Sequence, residues 1–102
     1  MKLSVFLLVA AAAAALVLVG TATAGDVFNG RTVYETYCLA CHGESGRPID
    51  PAIPSFADGD AIFKPDSQLL DQVRQGSEAM PAFRGVLTES EIIDVITYIR
   101  SL

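Results

Sequence analysis

Tryptophan is absent from the 102-residue chain, and chemistry-bearing residues are few: two cysteines, one histidine and two methionines. Two thiols and one imidazole fall short of the four ligands a structural zinc site takes. Nor can the cysteines staple the chain, because a bridge between Cys38 and Cys41 would close a tiny loop and constrain little of the unfolded state. Positive charge is also scarce. Seven Lys and Arg stand against twelve Asp and Glu, a net charge of −5, which makes nucleic acid a poor partner. There are no internal repeats, and the one low-complexity run is Ala10 to Ala15.

That run lies in the only long apolar stretch. Met1-Lys2 is a short basic start, Leu3 to Val19 carries no charge, and Ala22-Thr23-Ala24 is a small-residue cleavage pattern. Together they predict an export signal at residues 1–24, removed after Ala24. The alternative is a retained membrane anchor, for which seventeen apolar residues are at the short end of the spanning range. Export implies the periplasm of a bacterium or, in a phototroph, the thylakoid lumen. Residues 25–102 then form one small domain with six basic and twelve acidic side chains, net −6. Such a surface suits a partner with a positively charged docking patch, or serves only solubility.

Cys38-Leu39-Ala40-Cys41-His42 is the motif that stands out. C-x-x-C-H is the attachment pattern for a c-type haem: two thiols can each add to a porphyrin vinyl group, and the next residue offers an imidazole to the iron. A redox disulfide of the thioredoxin type competes, since export favours oxidising chemistry. That reading needs a strand–helix–strand setting, and residues 25–102 show no convincing strand. Haem is favoured for a second reason: a domain this small buries little surface of its own, and a large apolar plane at its centre would supply what is missing.

Helical patterns flank the motif. Asp26 to Leu39 reads as a helix with Asp26 as N-cap, with Val27, Gly30, Tyr34 and Tyr37-Cys38 at helical spacing. Residues 43–65 hold three glycines and four prolines and read as loop, with Pro48, Pro51 and Pro54 in extended chain and Asp58-Gly59-Asp60 as a turn. Its apolar residues Ile49, Ile53, Phe56, Ile62 and Phe63 predict a loop wrapped on a hydrophobic body. Asp66 to Gln75 reads as a helix capped by Asp66 or Ser67 and ended by Gly76. Thr88 to Ser101 is the clearest helix. Thr88 and Glu91 form a capping box, Ile92, Val95, Ile96 and Ile99 give one apolar stripe, and Glu89, Glu91 and Asp94 lie at the end the helix dipole favours.

A haem held by His42 needs a distal ligand or an open position. Beyond the leader, Met80 is the sole methionine and Lys64 the sole lysine. Met is a common axial ligand in electron-transfer cytochromes, whereas the lysine amine would first have to lose a proton. Met80-Pro81-Ala82-Phe83, flanked by Gly76 and Gly85, suits a strap crossing the haem.

Three blocks in order carry a family resemblance: Gly30-Arg31-Thr32-Val33-Tyr34 leading into Cys38-Leu39-Ala40-Cys41-His42-Gly43, then Met80-Pro81-Ala82-Phe83, then Val95-Ile96-Thr97-Tyr98-Ile99-Arg100 in the closing helix. From about Asp26 to Leu102 the chain resembles class I cytochromes c of the small bacterial mono-haem type. The resemblance implies an all-α fold of three to four helices around one covalently attached haem c. Cys38 and Cys41 would hold it, with His42 and Met80 as axial iron ligands. Pro54, twelve residues after His42, matches the proline whose carbonyl receives the histidine ring N–H. Phe56 would pack near the haem, and Gly30 and Tyr34 would meet Val95 and Tyr98 at a helix crossing. No propionate-binding aromatic is matched, and Arg47 and Lys64 are weak substitutes. The implied function is one-electron transfer between redox proteins, without enzymatic turnover. Alternatives are the electron-entry subunit of a particular dehydrogenase or reductase, and a gas sensor opened by loss of Met80.

Overall fold

The computed structural model describes residues 25–102; the expected export signal and its cleavage site lie outside the described residues. Four α-helices follow in order: α1 Val27–Tyr37, α2 Leu39–His42, α3 Asp66–Gln75 and α4 Glu89–Ile99. Short 3-10 turns at Glu44–Gly46 and Phe56–Asp58 punctuate the loop between α2 and α3. Among the described residues there is no sheet, only an isolated bridge between Arg84 and Leu87. Among the same residues no helix is long and apolar enough to cross a membrane.

Local chemistry explains where the helices begin. The Asp26 carboxylate accepts the Phe28 and Asn29 amides at 2.9 and 3.0 Å, satisfying two N–H groups that a helix start leaves without partners. The helix expected to run through Leu39 instead closes at Tyr37, and one further turn, α2, carries the end of the C-x-x-C-H motif. The carbonyl of Cys38 opens this turn by accepting the Cys41 and His42 amides at 3.3 and 2.9 Å. The capping box of α4 is present in both directions, each bond 3.1 Å long. The cap expected at Asp66 or Ser67 is not formed. Pro65 occupies the cap position without a side-chain bond, and Asp66, the first helical residue, takes the Arg100 guanidinium at 2.5 Å instead.

Helices α1 and α4 cross to form the centre of the core. Val33 and Tyr34 from α1 pack with Ile92, Val95, Ile96 and Ile99 from α4, and Phe56, Leu69, Phe83 and Leu87 extend the cluster. Gly30 is the point of closest approach: a Cβ there would collide with the Asp94 carbonyl and come within 2.9 Å of the Tyr98 Cβ. Asp94, expected near the favourable end of the helix dipole, has a different role. Its side chain is buried and accepts the Asp26 amide and the Asn29 side-chain amide, both at 2.7 Å. A buried carboxylate is tolerated when such bonds replace its water, and these two clasp the start of α1 to α4.

Because the obstacle at Gly30 is backbone, it cannot swing aside. Gly30→Ala is expected to destabilise the holoprotein by ~3 kcal/mol, the upper end of the overpacking range. Denaturant unfolding of the two proteins checks this.

Candidate functional site

The motif residues sit where α1 hands over to α2. Cys38 is half-buried at the junction, Cys41 is exposed on α2, and both thiols are free. Burial, with a smaller contribution from Cys41, pushes the Cys38 thiol up to about 11. Thiol–disulfide enzymes work with a lowered thiol pKa that populates the thiolate. Cys38 is shifted the opposite way, which weighs against the thioredoxin-like reading. Among the described residues, no group of three or more His, Cys, Asp or Glu side chains is placed to hold a metal.

His42 is fixed from two sides. Its Nδ1 lies 3.2 Å from the Pro54 carbonyl oxygen. A carbonyl can only accept, so the proton sits on Nδ1 and Nε2 keeps its lone pair. The ring also lies on Phe56, with centroids 4.5 Å apart and planes inclined by 18°. Burial holds the His42 pKa below its ordinary value, opposed by the Pro54 contact, and the neutral imidazole that results is the form that binds metals. Next to it, the buried Tyr34 hydroxyl donates to the Gly43 carbonyl at 2.6 Å. Gly43 has φ +81°, and a Cβ on it would collide with the Arg47 carbonyl. The chain leaving His42 is therefore held in a turn that only glycine fits.

Met80 is presented by a separate strap that springs from the end of α3. The Ser77 amide donates to the Met80 carbonyl at 2.9 Å, and the Phe83 and Arg84 amides donate to the Val73 and Arg74 carbonyls at 3.0 and 3.2 Å. The last carbonyls of α3, left without intrahelical partners, thus anchor the strap. Gly76 makes the close turn possible at φ +67°; a Cβ there would lie 2.5 Å from the Met80 carbonyl oxygen and 2.8 Å from the Ala82 nitrogen. The Met80 side chain packs against the core, and the Gln72 amide approaches its sulfur at 3.8 Å.

The structure thus brings His42 into contact with Pro54, as the family resemblance implied, and with Phe56, and sets Cys41 and His42 on the single turn that follows Cys38. Met80 stands apart on its strap. Of the weaker candidates, Arg47 faces Asp58 at 3.7 Å, and the Lys64 carbonyl accepts from Arg100 at 2.9 Å. Sequence reasoning missed the Tyr34 hydroxyl, Gln72 and the burial of Asp94, all of which depend on contacts between distant segments.

Two free thiols, an imidazole with its outer nitrogen open and a thioether on a fixed strap are the donor set of a c-type haem. The loop expected to wrap on a hydrophobic body buries Phe56 but leaves Ile49 and Phe63 exposed, apolar surface that the polypeptide itself does not cover. The residues therefore fit that group. An all-helical chain with this donor set defines a class: small haem proteins built for electron transfer.

Comparison with known proteins agrees. The family model described as "Cytochrome C oxidase, cbb3-type, subunit III" matches residues 25–99. Cytochrome c6 of Thermosynechococcus vestitus is 35% identical over 103 residues, covering 92% of this chain and 88% of that protein. Cytochrome c6 of Rippkaea orientalis is 37% identical over 87 residues, covering 83% and 78%. The structure of cytochrome c6 from the diatom Phaeodactylum tricornutum superposes with a TM-score of 0.58 at 29% identity, over 76% of this chain and 93% of that one. The chain belongs to the cytochrome c family; it is a class I c-type cytochrome that carries haem c and transfers one electron at a time.

The strap makes Gly76 a sensitive position. Gly76→Ala combines a strained positive φ with contact against backbone, and is expected to cost ~1–3 kcal/mol and to displace Met80. Denaturant unfolding and the NMR shift of the Met80 methyl group check both parts.

Proposed function

We propose that Cys38 and Cys41 bind the haem through thioethers, that His42 Nε2 and Met80 Sδ are its axial ligands, and that Pro54 and Phe56 orient the His42 ring. The observation that carries this reading is the 3.2 Å approach of His42 Nδ1 to the Pro54 carbonyl. It fixes the tautomer and aims the remaining lone pair, as a metal-bound histidine requires. When bound, the haem supplies the one-electron iron couple. The protein's part is to hold ligands that change little between redox states, to keep water away and to present a docking surface. His42 needs no proton transfer to act, since Nδ1 keeps its proton and donates it in a hydrogen bond to the Pro54 carbonyl. Met80 is fixed by strap bonds to α3 that do not involve the iron.

The domain works as a freely diffusing carrier after export and removal of residues 1–24, in the periplasm or a thylakoid lumen. Its net charge of −6 over residues 25–102 favours redox partners with a positive docking patch, because complementary charge speeds encounter. A second reading, the electron-entry subunit of a larger complex, draws on the oxidase-subunit description of the matching family model. Stable co-purification with a partner at moderate salt would favour it over the free carrier.

The test of the ligand assignment is the visible spectrum of the exported protein and of Met80→Ala. The wild type should be low-spin in both redox states, with a weak long-wavelength sulfur–iron band in the oxidised form. The variant should lose that band and gain high-spin character. An unchanged spectrum would remove Met80 from the iron.

A further inference from the structure

The strap that carries Met80 is a closed loop. It leaves α3 at Gly76, and its returning arm donates the Phe83 and Arg84 amides to the Val73 and Arg74 carbonyls. Phe83 then turns the chain towards α4. Its carbonyl accepts the Val86 and Leu87 amides, both at 2.9 Å, and its ring is buried, as is Leu87. The base of the loop is therefore the last turn of α3. A helix end is where backbone bonds fray most readily, so the hold on Met80 depends on keeping that turn shut.

An ion pair sits at this base. The Arg74 guanidinium donates to the Glu89 carboxylate. Arg74 lies in the last turn of α3 and Glu89 in the first turn of α4, so each charge stands at the helix end whose dipole favours it. Arg74 thus holds the strap twice: its carbonyl takes the returning arm, and its side chain fastens the turn to α4. Such pairs add little to global stability, and this one is partly open to solvent, with Arg74 31% and Glu89 59% exposed. Opening one loop costs far less than unfolding the domain, so a small contribution at the base counts for more there. A second pair gives the contrast. Arg100 meets Asp66 at 2.5 Å, joining the same two helices at the start of α3, away from the strap.

We propose that Arg74 and Glu89 are positioning residues for Met80: their ion pair holds the base of the strap shut and thereby sets how often the thioether leaves the iron. This role rests on Met80 being the axial ligand proposed above. Neither side chain touches the iron or the thioether in this scheme. They act through the two backbone bonds at Val73 and Arg74, which open together with the last turn of α3.

The experiment mixes the oxidised holoprotein with imidazole, which binds the iron only after Met80 has left, and follows loss of the sulfur–iron band. Neutral imidazole is the probe because its approach does not depend on surface charge. At saturating imidazole the observed rate is that of Met80 departure. Arg74→Gln and Glu89→Gln should each raise this limiting rate about two- to fivefold, the range open to a pair of this exposure. The double variant should be no faster than either single one, since each change alone breaks the whole pair. Arg74→Lys keeps the charge and should restore most of the wild-type rate. Arg100→Gln is the control and should leave the limiting rate unchanged, whatever it does to the denaturation midpoint. Wild-type rates in both glutamine variants would overturn the proposal. Equal acceleration by Arg100→Gln would overturn it too, because the pair would then be only a general brace. Should Arg74→Gln fail to fold, Glu89→Gln, altered at the more exposed partner, carries the same test. A wild-type oxidised spectrum lacking the sulfur–iron band before imidazole is added would instead remove Met80 from the iron, and this role with it.

Discussion

The close crossing of α1 and α4 is the constraint on which the remainder of the molecule depends. At Gly30 the two backbones approach so nearly that no side chain fits between them, and the buried Asp94 carboxylate ties the start of α1 to α4. This frame holds Tyr34 in place. Tyr34 in turn holds the Gly43 carbonyl and lies against Phe56, the ring on which His42 rests. A geometry needed at one imidazole is therefore enforced through Tyr34 by the helices that hold it. The arrangement also separates tasks: α1 and α4 give rigidity, the loop through Pro54 orients His42, and the strap from α3 presents Met80.

Much of this was legible in the residues themselves. The C-x-x-C-H motif, the capping box at Thr88 and Glu91, the apolar stripe of α4 and the stop at Gly76 are local patterns with local causes, and each is present in the structure. The close approach at Gly30 was implied by the family resemblance; a glycine inside a helix is costly, but that cost alone does not tell a close approach from a weak spot. The contact between His42 and Pro54 followed from the family's spacing rather than from physics alone. What escaped was non-local. Nothing in Ser-Glu-Ile-Ile-Asp marks Asp94 as buried, since its partners Asp26 and Asn29 are more than sixty residues away. Asp66 looked like a cap, but the helix begins one residue earlier, with Pro65 at the cap position. The break between α1 and α2 was hidden by a helical pattern that continues through it.

The site also explains why a carrier needs so few chemically active residues. In the proposed assignment one imidazole, one thioether and two thiols complete the donor set, and the remaining polar contacts near them serve position rather than reaction. Raised thiol pKa at Cys38 and a neutral imidazole at His42 both follow from burial, the same condition that keeps water from a redox centre. An enzyme of the thiol–disulfide type would need the opposite environment at Cys38.

Spectroelectrochemical titration of the exported holoprotein tests the central claim most directly, because it reads the number of electrons, the cofactor and its ligation together. The account predicts one reversible one-electron transition in the haem bands, with a low-spin six-coordinate spectrum at both ends. A two-electron transition tied to the thiols without a visible chromophore would contradict it, as would a haem that becomes five-coordinate on reduction.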